Sequence, residues 1–309
     1  KLALLGEETL GRAAVADHNA DDPRANVFVG ATPAGTRVSL NRLLLNADLK
    51  IVTGGVTHHY YAGFTGGRKG IMPGCAARET IVANHSLAVD ADGAPHPRAA
   101  AGILDGNPVH EDMLAAARMA GAVFLINAVA GADGAPEALF AGDLEAAHAA
   151  AVRHARERFE VPAPRLFDLV IASCGGAPRD ISFYQAHKSC HNAFSACRPG
   201  GTVILFAQCP AGLGPEGFEG WFRLGSVAAI AHKLRQGYAV PGQTAMSTLR
   251  KAAAARIILV SDLPEEQVRL MNMTPAANAE HAVSLIGAAP ARAAIMPEAA
   301  HTVPVRPQP

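Results

Sequence analysis

The segment Thr57 to Gly74, THHYYAGFTGGRKGIMPG, gathers the densest set of reactive side chains in the 309-residue sequence. It follows the apolar run Asp48 to Gly54, which reads as a strand ending in glycines. Its own glycines mark a loop of close backbone approach. Gly66, Gly67, Gly70 and Gly74 let backbone N–H groups turn inward toward an anion. Lys69 sits among them. A lysine in such a loop is either an anion contact or, in a dry pocket, a nucleophile. His58 and His59 precede it and His85 follows. Adjacent residues of extended chain point to opposite sides, so only one of the two neighbouring histidines faces a given site. The phosphate loop of nucleotide hydrolases is excluded, because Gly70 rather than Ser or Thr follows Lys69. No GxGxxG or HExxH occurs here.

A second block, Gly175 to Lys188 (GGAPRDISFYQAHK), leads into a helix. Gln185 and Lys188 stand at i and i+3, so one face presents both. An ammonium there suits a substrate carboxylate, with Gln185 adding a neutral hydrogen bond. Tyr184 either joins them or packs. His187 and His191 share a face at i and i+4, a spacing that also arises by accident. Trp221 reads as an apolar lid or as packing, and His18 as a turn residue.

The order His59, AGF-[ST]-GG-x-K over Ala62 to Lys69, Pro73-Gly74 and His85 resembles the nickel-dependent lactate racemase family, which includes other 2-hydroxy-acid racemases and epimerases. The G-x-P-x-D…YQA-x-K pattern of the second block agrees, as do GNP at Gly106 to Pro108 and AGD at Ala141 to Asp143. The resemblance runs over nearly the whole chain. It implies an isomerase whose cofactor is nickel held by pyridinium-3-thioamide-5-thiocarboxylic acid mononucleotide, the nickel-pincer nucleotide. Lys69 matches the tethering lysine, with Gly66 and Gly67 beside it as cofactor contacts. His85 matches the nickel ligand and His59 a catalytic acid/base. Tyr184, Gln185 and Lys188 match substrate-binding positions. The implied chemistry removes the hydroxyl proton of a 2-hydroxy acid while hydride leaves Cα for the cofactor, then returns it to the other face. Cofactor-maturation enzymes are the implied partners. Family members also carry an upstream second catalytic histidine and an arginine that nothing here matches, so an N-terminally truncated chain is expected. His58 and His18 are the residues to consider for a second base. Two rival readings are a nickel-free glycine-loop enzyme that binds a nucleotide phosphate, and an inactive binding homologue.

These residues need a frame. Apolar runs at Ala122–Ala130, Leu166–Ser173, Thr202–Gln208 and Arg256–Ser261 alternate with helical stretches at Pro108–Ala120, Asp143–Phe159, Ser182–Cys197, Val227–Gln236 and Gln243–Ala254. Such alternation predicts parallel, doubly covered sheet. The fold class is therefore α/β, with two α/β domains and the active site in the cleft between them. Residues 1–160 would complete the N-terminal catalytic domain and 165–309 the C-terminal domain, with the break at Val161-Pro162-Ala163-Pro164. The tail Val303 to Pro309 is expected to be loosely held. Lys plus Arg and Asp plus Glu both number 27, so no net field recruits nucleic acid or an anionic membrane. Five cysteines without a CxxC pair point to small buried residues in a reducing cytoplasm.

Overall fold

The computed structural model describes residues 2–90, 94–131, 134–287 and 289–306. Two α/β units follow one another along the chain. The first is built on a three-stranded sheet in the order Ile51–Gly55, Phe124–Ala130, Pro136–Asp143. Its first two strands are parallel, with Ile51 opposite Phe124. The third returns antiparallel, which corrects the expectation of an all-parallel sheet. No apolar run marks that strand, because its residues are exposed or half-buried. An antiparallel hairpin, Asn26–Ala31 with Arg37–Asn41, escaped the sequence reading for similar reasons of weak alternation.

The helix Leu144–Phe159 covers this sheet. Asp143 caps it by accepting from the N–H groups of Glu145 and Ala146, and Arg156 and Arg158 close its last turn. Its buried positions, Leu144, Ala147, His148, Ala151, Val152 and Ala155, recur at helical spacing. Asn107 caps Pro108–Arg118 in the same way, with proline in the first turn.

The second unit has a five-stranded sheet in the order Thr274–Ala276, Arg256–Val260, Cys197–Phe206, Phe167–Ser173, Ala293–Met296. Every pairing in it is parallel. Val170, Val203, Ile204 and Ile258 are fully buried, as strands covered on both faces must be. The helix Phe183–Ala196 packs on the strands Phe167–Ser173 and Cys197–Phe206 and against the helix Val240–Ala254.

The proline-rich junction is more than a linker. Glu160–Pro162 pairs in parallel with Val303–Val305, and Val303 is buried. The tail is thus held as far as Val305, contrary to expectation; residues 307–309 lie outside the described residues. Prolines are tolerated in this two-stranded ribbon because an edge need not donate every N–H.

Candidate active site

His59 is delivered by a two-residue strand, His58–His59, paired antiparallel with Gly63–Phe64. The two histidines diverge, as alternation requires. His58 Nε2 meets Glu160 Oε1 at 3.0 Å, and Arg156 Nη1 donates to the same oxygen at 2.8 Å. His59 Nδ1 accepts the Ala62 N–H at 3.2 Å, so a neutral ring carries its hydrogen on Nε2. Its ring stacks on Tyr60 and meets Tyr61 edge-on at 4.5 Å. Burial holds His59 well below the usual histidine range, and the charges of Lys69, His85, Lys188 and Arg68 push the same way. Of the positions singled out in the sequence, Lys69, His85 and Lys188 thus act on one imidazole, Lys188 from the second unit.

Lys69 rides the 3-10 turn Gly67–Gly70. Burial, helped by Arg68 and Lys188, lowers its ammonium to about 7. A large share of it is then neutral near pH 7, as a nucleophilic amine requires. His85 projects from the helix Arg78–Ser86 and is 5% exposed. Burial and the charge of Lys69 take it to about 3, although the Ile81 carbonyl opposes the shift. Its imidazole is neutral and keeps a lone pair, and its buried Nδ1 makes no hydrogen bond of ordinary geometry. Tyr61 separates it from His59, with its ring 5.4 Å from His85.

The glycine loop is not an open anion cradle. The Gly67 N–H is already given to Asn127 Oδ1 at 2.9 Å. A Cβ on Gly66 (φ 71°) would lie 2.6 Å from Val56 Cγ2, and one on Gly67 (φ 54°) 2.6 Å from His148 Cγ. The close approach is real, but the partner is the protein itself; Gly66 and Gly67 shape the turn that carries Lys69. Gly67→Ala should therefore cost about 2–4 kcal/mol, combining positive-φ strain with overlap on the His148 ring. Urea unfolding checks this, and a loss below about 0.5 kcal/mol would mean the turn relaxes freely.

Arg68 points inward instead of outward. It is 1% exposed, donates to the Ala62 carbonyl at 2.7 Å, and is lowered by burial to about 9. An arginine in a glycine loop reads as an exposed anion contact, so only packing reveals this role.

The opposite wall is the helix Phe183–Ala196. Lys188 Nζ donates to Gln185 Oε1 at 2.8 Å. Both line a cavity of about 470 Å³ whose other side is His58, His59 and Tyr60. Tyr184 packs edge-on against Phe218 and is not part of that lining. Tyr60, which drew no attention in the sequence, spans the cleft. Its ring meets His187 edge-on at 5.0 Å and its hydroxyl reaches Thr244 Oγ1 at 3.2 Å. His187 and His191 both face Tyr60. Among the described residues, no group of three or more His, Cys, Asp or Glu is placed to hold a metal. Trp221 belongs to the second unit's core, beneath Lys233 at 4.7 Å, so the lid reading gives way to packing. His18 uses both ring nitrogens, on the Ala76 carbonyl and on Asn41, and is a structural residue. All five cysteines are free thiols and four are buried.

The class so defined is a two-unit α/β protein with a cationic, imidazole-lined cleft. Within that class the chain belongs to the lactate racemase family. Residues 1–95 match the lactate racemase N-terminal domain and residues 163–301 the lactate racemase C-terminal domain. The chain is 32% identical to lactate racemase of Thermoanaerobacterium thermosaccharolyticum, covering 92% of this chain and 67% of that protein. It is 38% identical to lactate racemase of Lactiplantibacillus plantarum over 69% of this chain and 49% of the relative, so it spans about half of that protein. The lactate racemase apoprotein structure from T. thermosaccharolyticum superposes with a TM-score of 0.90 at 30% identity, over 99% of this chain and 74% of that one. A Thermotoga maritima protein shares the fold alone, with a TM-score of 0.69 at 16% identity over 97% of this chain and 81% of the other. No helix among the described residues is long and apolar enough to cross a membrane.

Proposed function

We propose that this chain carries the reaction cleft of an isomerase that interconverts the enantiomers of lactate or a close 2-hydroxy acid. The observation that carries this reading is that His59 faces Gln185 and Lys188 across one cavity, with Lys69 and His85 near enough for their charges to depress its imidazole. The residues fit the nickel-pincer nucleotide. Lys69 offers a partly neutral amine for a covalent tether, and His85 a neutral imidazole for one coordination position. His85 would hold nickel from the protein side, and Lys69 would hold the nucleotide. When bound, that group supplies an acceptor for the hydride on Cα.

The chain's own residues do the rest. Lys188, aligned by Gln185, holds the substrate carboxylate. A neutral His59 is suited to act first as a base, taking the hydroxyl proton at Nε2 to become an imidazolium that can return the same proton to the 2-oxo oxygen. Taking a hydroxyl proton at the same nitrogen requires the Ala62 contact at Nδ1 to yield. His58 lines the same cavity, but its Nε2 is committed to Glu160, which favours positioning over proton transfer. The commitment of the Gly67 N–H to Asn127 weighs against a nucleotide-phosphate loop without nickel. Loading requires the cofactor-maturation enzymes as partners, and the five free thiols suit a reducing cytoplasm.

Chiral analysis of lactate tests this reading on the full-length protein produced with its maturation enzymes. Either pure enantiomer should drift to an equal mixture; enantiopure lactate after incubation with nickel-loaded protein would contradict it. His85→Ala should lose most of its nickel while His59→Ala retains it, as metal analysis of the purified variants would show. Equal loss from both would overturn the assignment of His85.

A further inference from the structure

A second cavity, also of about 470 Å³, lies against the opposite side of Tyr60 and His191. Its floor is one face of the helix Val240–Ala254, where Gln243, Ser247 and Lys251 recur at helical spacing. Tyr61, Val89 and Pro97 close it from the first unit, and Phe194 and Met246 add to its apolar lining. Neither Lys69, His85, Gln185 nor Lys188 lines it.

Arg250 and His96 also line it, and three of its polar side chains, on Lys251, Gln243 and His191, are poorly satisfied. Lys251 is 6% exposed, and among the described residues its Nζ bonds only to Ser247, one turn back on its own helix. Among the described residues no carboxylate lies within ion-pairing distance of it. Gln243 is 5% exposed and its Oε1 has no partner, and the buried Nδ1 of His191 has none either. Burial lowers the Lys251 ammonium to about 8, and its charge still depresses His187 and His191. A buried cation without a counter-charge is costly, and so are unpaired polar atoms around it. A few convergent polar groups in a mainly apolar cavity are the marks of a small-molecule site.

We infer that this cavity is a second ligand site, taking a small monocarboxylate with an apolar body whose carboxylate rests on Lys251. The carboxylate supplies the missing counter-charge. The apolar body fills the space between Tyr61, Val89 and Met246. Gln243 offers its amide to the polar end, by whichever of its two atoms faces the ligand.

Isothermal titration of the full-length protein with 3-phenylpropionate, and separately with inorganic phosphate, tests this. One saturable 3-phenylpropionate site is expected in the unaltered protein. Lys251→Met, which keeps the length and removes the charge, should weaken it at least about tenfold, while Lys188→Ala leaves it within about twofold. Gln243→Leu should also weaken it and serves if Lys251→Met does not fold. Absence of saturable binding, undiminished binding by the Lys251 and Gln243 variants, or a loss confined to Lys188→Ala would overturn the inference. Phosphate binding as tight as 3-phenylpropionate would overturn the apolar part of it.

Discussion

His59→Ala is expected to lower lactate racemisation by about 10²–10⁴-fold, the usual worth of a positioned acid/base. Tyr60 and Tyr61 fix the plane of its ring, so an alanine leaves no other group among the described residues placed to move that proton. Nickel content and fold should be retained, because His59 contributes one backbone contact, from Ala62, and ring packing. Because His59 is held well below the ordinary histidine value, wild-type turnover should not fall between pH 8 and 6 from its protonation. A variant that keeps more than about a tenth of wild-type turnover would place the proton elsewhere, and His58 would be examined next.

Acid should destabilise the protein steeply. His85, His148 and His187 are buried, with values of about 3, about 4 and about 3, against 6.5 for an exposed ring. Burial is the main cause in each. Between the folded values and 6.5 the unfolded chain binds more protons than the folded one. Their contribution is therefore complete above pH 6.5 and is lost as the pH falls toward 4. Three such groups give a slope of about 4 kcal/mol per pH unit near pH 5, which rivals the whole stability of a typical domain. Urea midpoints at pH 7, 6 and 5 would show it, and an unchanged midpoint from pH 7 to 5 would refute it. On the alkaline side, Lys69 at about 7 and Lys251 at about 8 act with the same sign, so stability should still climb between pH 8 and 9.5.

What the sequence made legible was whatever depends on local pattern. The parallel strands of the second unit are continuous apolar runs because both faces are covered, and the helix at Leu144 begins where Asp143 can cap it. The spacing of His59, Lys69, His85 and Lys188, through the family resemblance, pointed to the candidate site. What escaped depends on packing between distant segments. The strand Pro136–Asp143 has no apolar run, since its residues are exposed or half-buried. Arg68 looks like an exposed cation until the turn folds it inward. Glu160 lies 102 residues from His58, and Tyr60 meets Thr244 across 184 residues, distances over which no sequence spacing speaks. The glycines were rightly taken as places of close approach, but the approaching group is His148 or Val56 rather than a phosphate.

Lys69 is proposed as the cofactor tether, an amine partly neutral near pH 7 on the turn Gly67–Gly70. Intact-mass analysis with peptide mapping, on full-length protein produced with the maturation enzymes, addresses it most directly. A single covalent adduct is expected on the peptide containing Lys69, absent from Lys69→Arg, which should also lose nickel and racemisation together. Unmodified Lys69 in protein that racemises lactate would contradict it.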